Sequence, residues 1–487
     1  MSRLGRRLRG LGVGADTTLT VVLQAASAVS AFVLQVIILR VLSKNDAGYY
    51  SLTTTYLAIS SSLADFGIAA TVMPRIAVSG GNSPSFKGAI VMRLATILMA
   101  WVAINLYLLA RGNHELLVYV NISYVAIFFS ARLIGFRQII ETIWRLQGRT
   151  YVVTAIALAD AILLGIGVVI LAWLGALSIE RVLILYAVAS IPGFAIIIWP
   201  LWRNGQLRRY LERPLKLRYY KALLVASSPV AILVLAGQVF GQLEPLVIER
   251  FLHISDNAAY RAATAPLTGL LFLSMAISYG LSPIVSQIHR GARNDLGAGF
   301  LTSVSVRLLG TLALGICAAC FLFGAQIMQI FGPAYIAGTP ILKIYSISNG
   351  LTFIVILFDA FLLAMGARSS VLIATGVGFA AALTLELLLV GQWAIPGLVA
   401  AKIMAQLVII SLQLRAFKPE LRAGAFAGLR RLLLPALLLA GTLLATATLP
   451  FPIHAAIVLV AVIGSLAIGP IVTPGEIQTL RRIRLGL

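Results

Sequence analysis

Charge is scarce in this sequence: Asp, Glu, Lys and Arg together make up 11% of 487 residues, against about 25% in a soluble protein. A water-facing surface cannot be built from so few, and with 60% hydrophobic residues the chain reads as a polytopic membrane protein. Cysteine is scarcer still. Cys317 and Cys320 lie inside one apolar stretch, which excludes a disulfide framework or zinc site and leaves helix packing over a Cys-x-x-Cys redox pair. No Gly-x-x-x-x-Gly-Lys-Ser/Thr loop occurs, which excludes an ATP-binding-cassette mechanism within this chain. His114, His253, His289 and His454 are scattered, with no HExxH and no carboxylate cluster, so a metal-dependent enzyme is not expected.

What the chain has in quantity is apolar length. Windows of membrane-spanning size fall at 17–39, 48–73, 89–110, 116–136, 150–174, 181–202, 222–249, 259–285, 299–324, 339–365, 370–390, 396–414, 431–449 and 453–473, each close to the 20 or so residues that cross a bilayer. The basic N-terminus with Ala26-Ser27-Ala28 has the look of a signal peptide, but the apolar run continues to Leu39, too long for a cleaved h-region, and is read as the first membrane helix. Fourteen helices leave no room for a soluble domain, so the fold class is all-α and polytopic.

The 38 Lys and Arg give a net charge of +22, which would suggest nucleic acid in a soluble protein; here they sit in the loops, and no nucleic-acid partner is expected. With the N-terminus inside, 27 of the 38 fall in cytoplasmic segments and 6 outside, the bias that sets orientation. Both termini are then cytoplasmic. The longest basic connection runs from Arg203 to Lys221 and divides the chain. The expected domains are an N-terminal six-helix bundle at 1–202, a basic linker at 203–221, a second six-helix bundle at 222–415, and two further helices with a basic tail at 416–487.

A repeat supports that division. Arg40, Asp46, Tyr50 and Thr54 recur as Arg250, Asp256, Tyr260 and Thr264, each shifted by 210 positions, and Glu141 with Gly148 recurs as Asp359 with Gly366, shifted by 218. Pro74 has a near counterpart in Pro283. Six helices separate the copies, so the halves would share one orientation about a pseudo-two-fold axis along the membrane normal.

Three stretches carry a family resemblance: Arg40-Val-Leu-Ser-Lys-Asn-Asp46-Ala-Gly48-Tyr49-Tyr50 leading to Leu63-Ala-Asp65-Phe66-Gly67-Ile68, then Ile330-Phe331-Gly332-Pro333-Ala-Tyr335, and the segment from Glu141 to Arg149. Together with the helix count and the central basic loop, they resemble the polysaccharide exporter branch of the multidrug/oligosaccharidyl-lipid/polysaccharide (MOP) superfamily, the O-antigen-type flippases. The resemblance implies two six-helix bundles, often with two extra helices, around a central cavity that opens alternately to each membrane face. It also implies an undecaprenyl-diphosphate-linked glycan as substrate, a bacterial inner membrane as location, a monomer, and polysaccharide polymerase and chain-length machinery as working partners.

Ionisable groups at membrane depth face a cavity or a partner. Arg93, Arg137 and Lys343 lie near helix ends and are read as snorkelling to the interface. Arg132 and Arg307 lie a turn or more inside the expected cytoplasmic ends and are read as cavity-facing, where a forked guanidinium suits a diphosphate. Arg40, Arg250 and Arg261 would form an outer cationic rim, with topogenic or structural roles equally open. Among the acids, Glu244 lies beside Pro245, either as an H+ or Na+ coupling site or as a pair for Arg250. Asp65 and Asp160 are further coupling candidates; Asp160 is either a cavity residue or paired across helices. Glu141, one turn from Arg137 and Arg145, is expected to pair with them.

No cofactor is expected; an ion gradient, the membrane potential or the substrate gradient would supply the drive. A membrane glycosyltransferase, polymerase or ligase would need a large outer loop, and the longest outer connections, near 250–258 and 325–338, are short. The remaining rivals are a flippase for the peptidoglycan precursor and a multidrug exporter, the latter disfavoured by the basic excess.

Overall fold

The computed structural model describes residues 13–68, 85–211, 217–291, 297–446 and 451–468, and among these every regular element is helical. Helix is the only open-ended backbone that satisfies its own N–H and C=O groups in hydrocarbon. Nine continuous stretches of the described residues are long and apolar enough to cross a membrane, and helix occupies each of the fourteen sequence windows. Pro74 and the basic termini, Arg3 to Arg9 and Arg481 to Arg484, lie outside the described residues.

The described residues up to Ala262 pack as one compact unit and those from Ala263 onward as another. The first unit contains α1 (Val13–Val41), α2 (Lys44–Asp65), α3 (Ser85–Ala110), α4 (His114–Tyr124), α5 (Ala126–Phe129), α6 (Phe136–Leu146), α7 (Thr150–Trp173), α8 (Ile179–Val188), α9 (Ile191–Arg203), α10 (Gln206–Leu211), α11 (Leu217–Gly241), α12 (Leu243–Phe251) and the start of α13 (Ile254–Thr268). Here α1 runs beside α7, and α2 packs against α3, α4, α11 and α12. A core of Ile68, Phe86, Met92, Ile139, Ile140, Ile143, Ile197 and Leu201 joins the ends of α2 and α9 to α3 and α6.

The repeated residues build the same corner twice. Arg40 lies in the last turn of α1 and Arg250 in the last turn of α12. Asp46 and Asp256 each occupy the first turn of the next helix. The Ser43 backbone corner is capped by its own hydroxyl, which accepts from the Asp46 N–H at 3.1 Å, while the Asp256 carboxylate accepts from the His253 N–H at 3.0 Å. Both are N-terminal caps that satisfy otherwise orphaned donors. Tyr50 and Tyr260 follow, both buried. The two corners meet: a Cβ on Gly48 would collide with the Ile254 carbonyl oxygen, so the contact demands glycine. The second repeated pair closes two helices alike. Gly148 (φ +69°) and Gly366 (φ +80°) take the left-handed position, and the residues after them, Arg149 and Ala367, donate back to Trp144 and Leu362 at 3.1 and 2.9 Å, the Schellman arrangement.

The second unit holds α14 (Leu271–His289), α15 (Ala298–Phe331), a 3₁₀ turn (Pro333–Gly338), α16 (Thr339–Ala364), α17 (Arg368–Ala416), α18 (Pro419–Ala445) and α19 (Phe451–Ile468). α17 is a hairpin: Ala394 (φ 47°, ψ −133°) breaks its 49 residues into arms 368–393 and 395–416, and Gly378 of one arm lies against Ile409 of the other. α15 and α18 approach through Gly299, Gly424 and Gly428, where a side chain would meet the facing backbone, the small-residue contact typical of membrane helices. A ladder of polar pairs joins α16 to the second arm: Ser348 donates to Gln406 (3.0 Å), Gln406 to Thr352 (2.7 Å) and Gln413 to Asp359 (2.7 Å).

Candidate functional site

The fourth pass is interrupted midway. From His114 it runs through α4 and α5 to Phe129, loses helical geometry, and resumes at Phe136 as far as Leu146. Residues 130–135, Ser-Ala-Arg-Leu-Ile-Gly, carry no helix. Freed backbone groups at membrane depth need partners, and two arginines supply them. Arg137 Nη1 donates to the Phe129 carbonyl at 3.1 Å, and Arg93 Nη1 donates to the Ile134 carbonyl at 3.4 Å. The Gly135 N–H reaches the Leu133 carbonyl at 2.8 Å, and the Arg132 N–H reaches the Ser130 hydroxyl at 3.1 Å. Gly135 folds back so tightly that a Cβ would strike the Ile127 carbonyl oxygen.

Each supporting arginine is held by acid. Arg93 of α3 pairs with Asp65 at the end of α2. Arg137 pairs with Asp160 of α7 and, at 2.8 Å, with Glu141 one turn along α6; Arg145 reaches Glu141 at 3.4 Å. The Arg93 and Arg137 side chains are both 0% exposed. The expected Glu141 pairing is present, and Asp160 takes the cross-helix alternative. The snorkelling expectation for Arg93 and Arg137 is corrected: their side chains turn inward, where carboxylate partners and backbone carbonyls offset the cost of leaving water. Asp160 sits against Gly193, where a Cβ would displace its carboxylate. Lys343, the third residue read as snorkelling, lays its stem along Gly324 and its ammonium 5.8 Å from the Phe321 ring centroid.

Arg132 belongs to the break itself. It is not a turn inside a helix end, because the pass it sits in continues ten residues beyond the expected window end, to Leu146. Its guanidinium stands 5.3 Å from the Tyr186 ring centroid, and neither Nη nitrogen has a hydrogen-bond partner among the described residues. Phe128, Phe129, Phe136 and Phe194 surround the break with their rings at 5.4 to 6.5 Å. Tyr50 lies within electrostatic reach of Arg132, Arg261 and Tyr186, so two of the expected cationic residues converge on the buried start of α2. A fixed, forked cation with spare donors beside aromatic faces can take a phosphate oxygen pair.

The other expected residues are dispersed. Arg40 and Arg250 are exposed at helix ends. Arg307 is buried in α15, its Nε donating to the Ser303 carbonyl at 3.3 Å. Glu244 is fully buried at the start of α12, just after the helix breaks at Gln242. One acid escaped sequence reasoning: Glu249 accepts from the Tyr56 hydroxyl at 2.6 Å, and nearby Thr55 donates to Gln242 at 3.2 Å. No local spacing signals that pair, since 193 positions separate the partners.

Residues 13–289, more than half of the chain, match the family of polysaccharide biosynthesis proteins. The chain belongs to that family. Among curated proteins none matches, whereas solved structures resemble this family member closely in fold. The inward closed lipid II flippase MurJ aligns with a TM-score of 0.70 at 13% identity, covering 93% of this chain and 98% of its own. An inward-facing multidrug resistance MATE transporter of the MOP superfamily aligns at 0.62 and 14%, covering 80% and 94%. The Vibrio cholerae MATE transporter VcmN aligns at 0.59 and 15%, covering 83% and 97%. The fold of this polysaccharide biosynthesis protein is thus the one that these solved transporters share.

Proposed function

We propose that the protein flips undecaprenyl-diphosphate-linked oligosaccharide units from the cytoplasmic to the outer leaflet of a bacterial inner membrane, by alternating exposure of a cationic cavity to the two faces. The observation that carries this reading is Arg132: a guanidinium at mid-pass, in a helix break, with both Nη nitrogens left without a hydrogen-bond partner among the described residues. Arginine at that depth is expensive and marks a polar path; a diphosphate headgroup supplies the acceptors it lacks. Arg261 and Tyr50 extend the same patch, Arg307, buried in α15, is a separate candidate contact for the headgroup, and Arg40 and Arg250 meet it as it leaves. For coupling to H+ or Na+ we assign Glu244, a fully buried acid beside Pro245 in the first turn of α12.

Deletion of the gene tests this: lipid-linked oligosaccharide accumulates on the cytoplasmic face, wild type restores export, and Arg132→Ala and Glu244→Gln do not. Normal delivery of the sugar to the outer face without the protein overturns the proposal. A second reading, flipping of lipid II, draws on the alignment with MurJ; rescue of peptidoglycan synthesis in a strain depleted of its own lipid II flippase separates the two.

A further inference from the structure

Away from the break, the end of the sixth pass carries a feature that translocation does not use. Trp199 and Trp202 project from the last turn of α9, 56% and 63% exposed, with their rings edge to face at 5.7 Å. They border an apolar groove of about 650 Å³ completed by Ala195, Ile196, Ile198 and Leu207. Beyond Arg203 the chain turns at Gly205 (φ +64°) into α10, which brings Leu207 back to the groove and leaves Arg203 and Arg208, next in sequence to the lining residues Trp202 and Leu207, exposed. Gln147 donates to Gln206 at 3.3 Å, which ties the end of the fourth pass to the same place. Arg145 and Arg149 come with it, the latter 5.7 Å from the Trp144 ring centroid.

We propose that this groove and its arginine rim form a binding site for an anionic phospholipid, one acyl chain lying along Trp199 and Trp202 and the phosphate meeting Arg203 and Arg208. The site stands apart from the proposed transport path. Apolar faces are general on a membrane protein, and so a groove alone selects nothing. What selects is the juxtaposition of a chain-sized trough, tryptophans, which favour the headgroup level, and cations, each worth about a fivefold gain for an anionic lipid. A contrast exists in the same unit: the groove between α1 and α7, lined by Val29, Val33, Ile37, Ile162, Ile166 and Ile170 among others, has no Lys or Arg next in sequence to any residue of its lining.

The test uses the full-length protein in phosphatidylcholine vesicles, with bromine-labelled phosphatidylglycerol or bromine-labelled phosphatidylcholine titrated in as quencher of tryptophan fluorescence. The labelled anionic lipid is expected to quench at about twenty-five-fold lower mole fraction, the advantage shrinking about fivefold with Arg203→Gln and again with Arg208→Gln. The Trp199→Phe/Trp202→Phe double variant should lose the selective component while retaining the quenching of the other tryptophans. Equal quenching by the two lipids, or selectivity unchanged in both glutamine variants, overturns the proposal. So does displacement of the labelled lipid by undecaprenyl phosphate at concentrations where unlabelled phosphatidylglycerol does nothing, which would hand the groove to the transported lipid.

Discussion

Arg137 Nη1 and the Phe129 carbonyl oxygen lie 3.1 Å apart across the interrupted fourth pass, so one side chain rooted in α6 caps the helix that stops before the break. The same guanidinium holds Asp160 and Glu141, and the break therefore has the stability of a buried ion network behind it. Removing one member of such a network strands the others. Arg137→Ala is expected to lower the unfolding free energy in detergent by about 3–5 kcal/mol. Combining it with Asp160→Asn should cost less than the two losses added, because each single change leaves a charge that the double change removes. Thermal unfolding of the four proteins decides it; strict additivity would show that the two side chains do not act as a pair.

Arg132 should behave in the opposite way. Its main contact in the fold is the Tyr186 ring, about 0.5–2 kcal/mol for a cation over an aromatic face, with a longer-range attraction to Asp160. Arg132→Ala is expected to stay folded with a small fall in melting temperature yet lose translocation of lipid-linked sugar, and Arg132→Lys to recover only part of it because the fork is lost. A lysine variant transporting at the wild-type rate would remove the case for bidentate phosphate contact.

Gly135→Ala places a methyl group where the Ile127 carbonyl oxygen already sits. Backbone cannot yield as a flexible side chain does, and a loss at or above the upper end of the usual 1–3 kcal/mol for overpacking is expected. Gly148→Ala is the informative comparison: its Cβ meets nothing within 4 Å, so its cost is limited to the left-handed backbone, about 1–2 kcal/mol. Melting curves that rank these two in reverse would contradict the geometry of the break.

Tyr56→Phe removes the donor to Glu249 and should destabilise the protein by about 1.5–3 kcal/mol, the range for a hydrogen bond to a charged group. Glu249→Gln, which keeps an acceptor, is expected to cost less. If both variants melt at the wild-type temperature, the contact between α2 and α12 does not contribute to stability.

Ala394 has a backbone conformation (φ 47°, ψ −133°) that favours glycine. Ala394→Gly should stabilise the hairpin by about 1–3 kcal/mol through relief of local strain, read as a higher melting temperature.

Hydropathy made the membrane passes legible because crossing a bilayer imposes the same length and composition on every one of them. The break at 130–135 was hidden for the same reason: Phe128 to Phe136 is as apolar as the helices around it, and what stops the helix is tertiary. Arg93 comes from one pass earlier and Asp65 from another, 28 positions apart; Asp160 lies 23 positions from Arg137. No helical period connects such pairs. The Arg137–Glu141 pair, at a spacing of four, is the part of the network that sequence could show. The same limit hid Glu249, whereas Glu141 and Asp359 were visible because each is followed seven positions later by a helix-ending glycine.

The one-residue bend at Ala394 bears on how the chain is made. With no polar loop between its arms, α17 offers the insertion machinery nothing to carry across on its own; arms 368–393 and 395–416 must enter the bilayer together as a preformed wedge. A reporter or epitope spliced at that bend would force a loop where none exists and change the assembly it was meant to map.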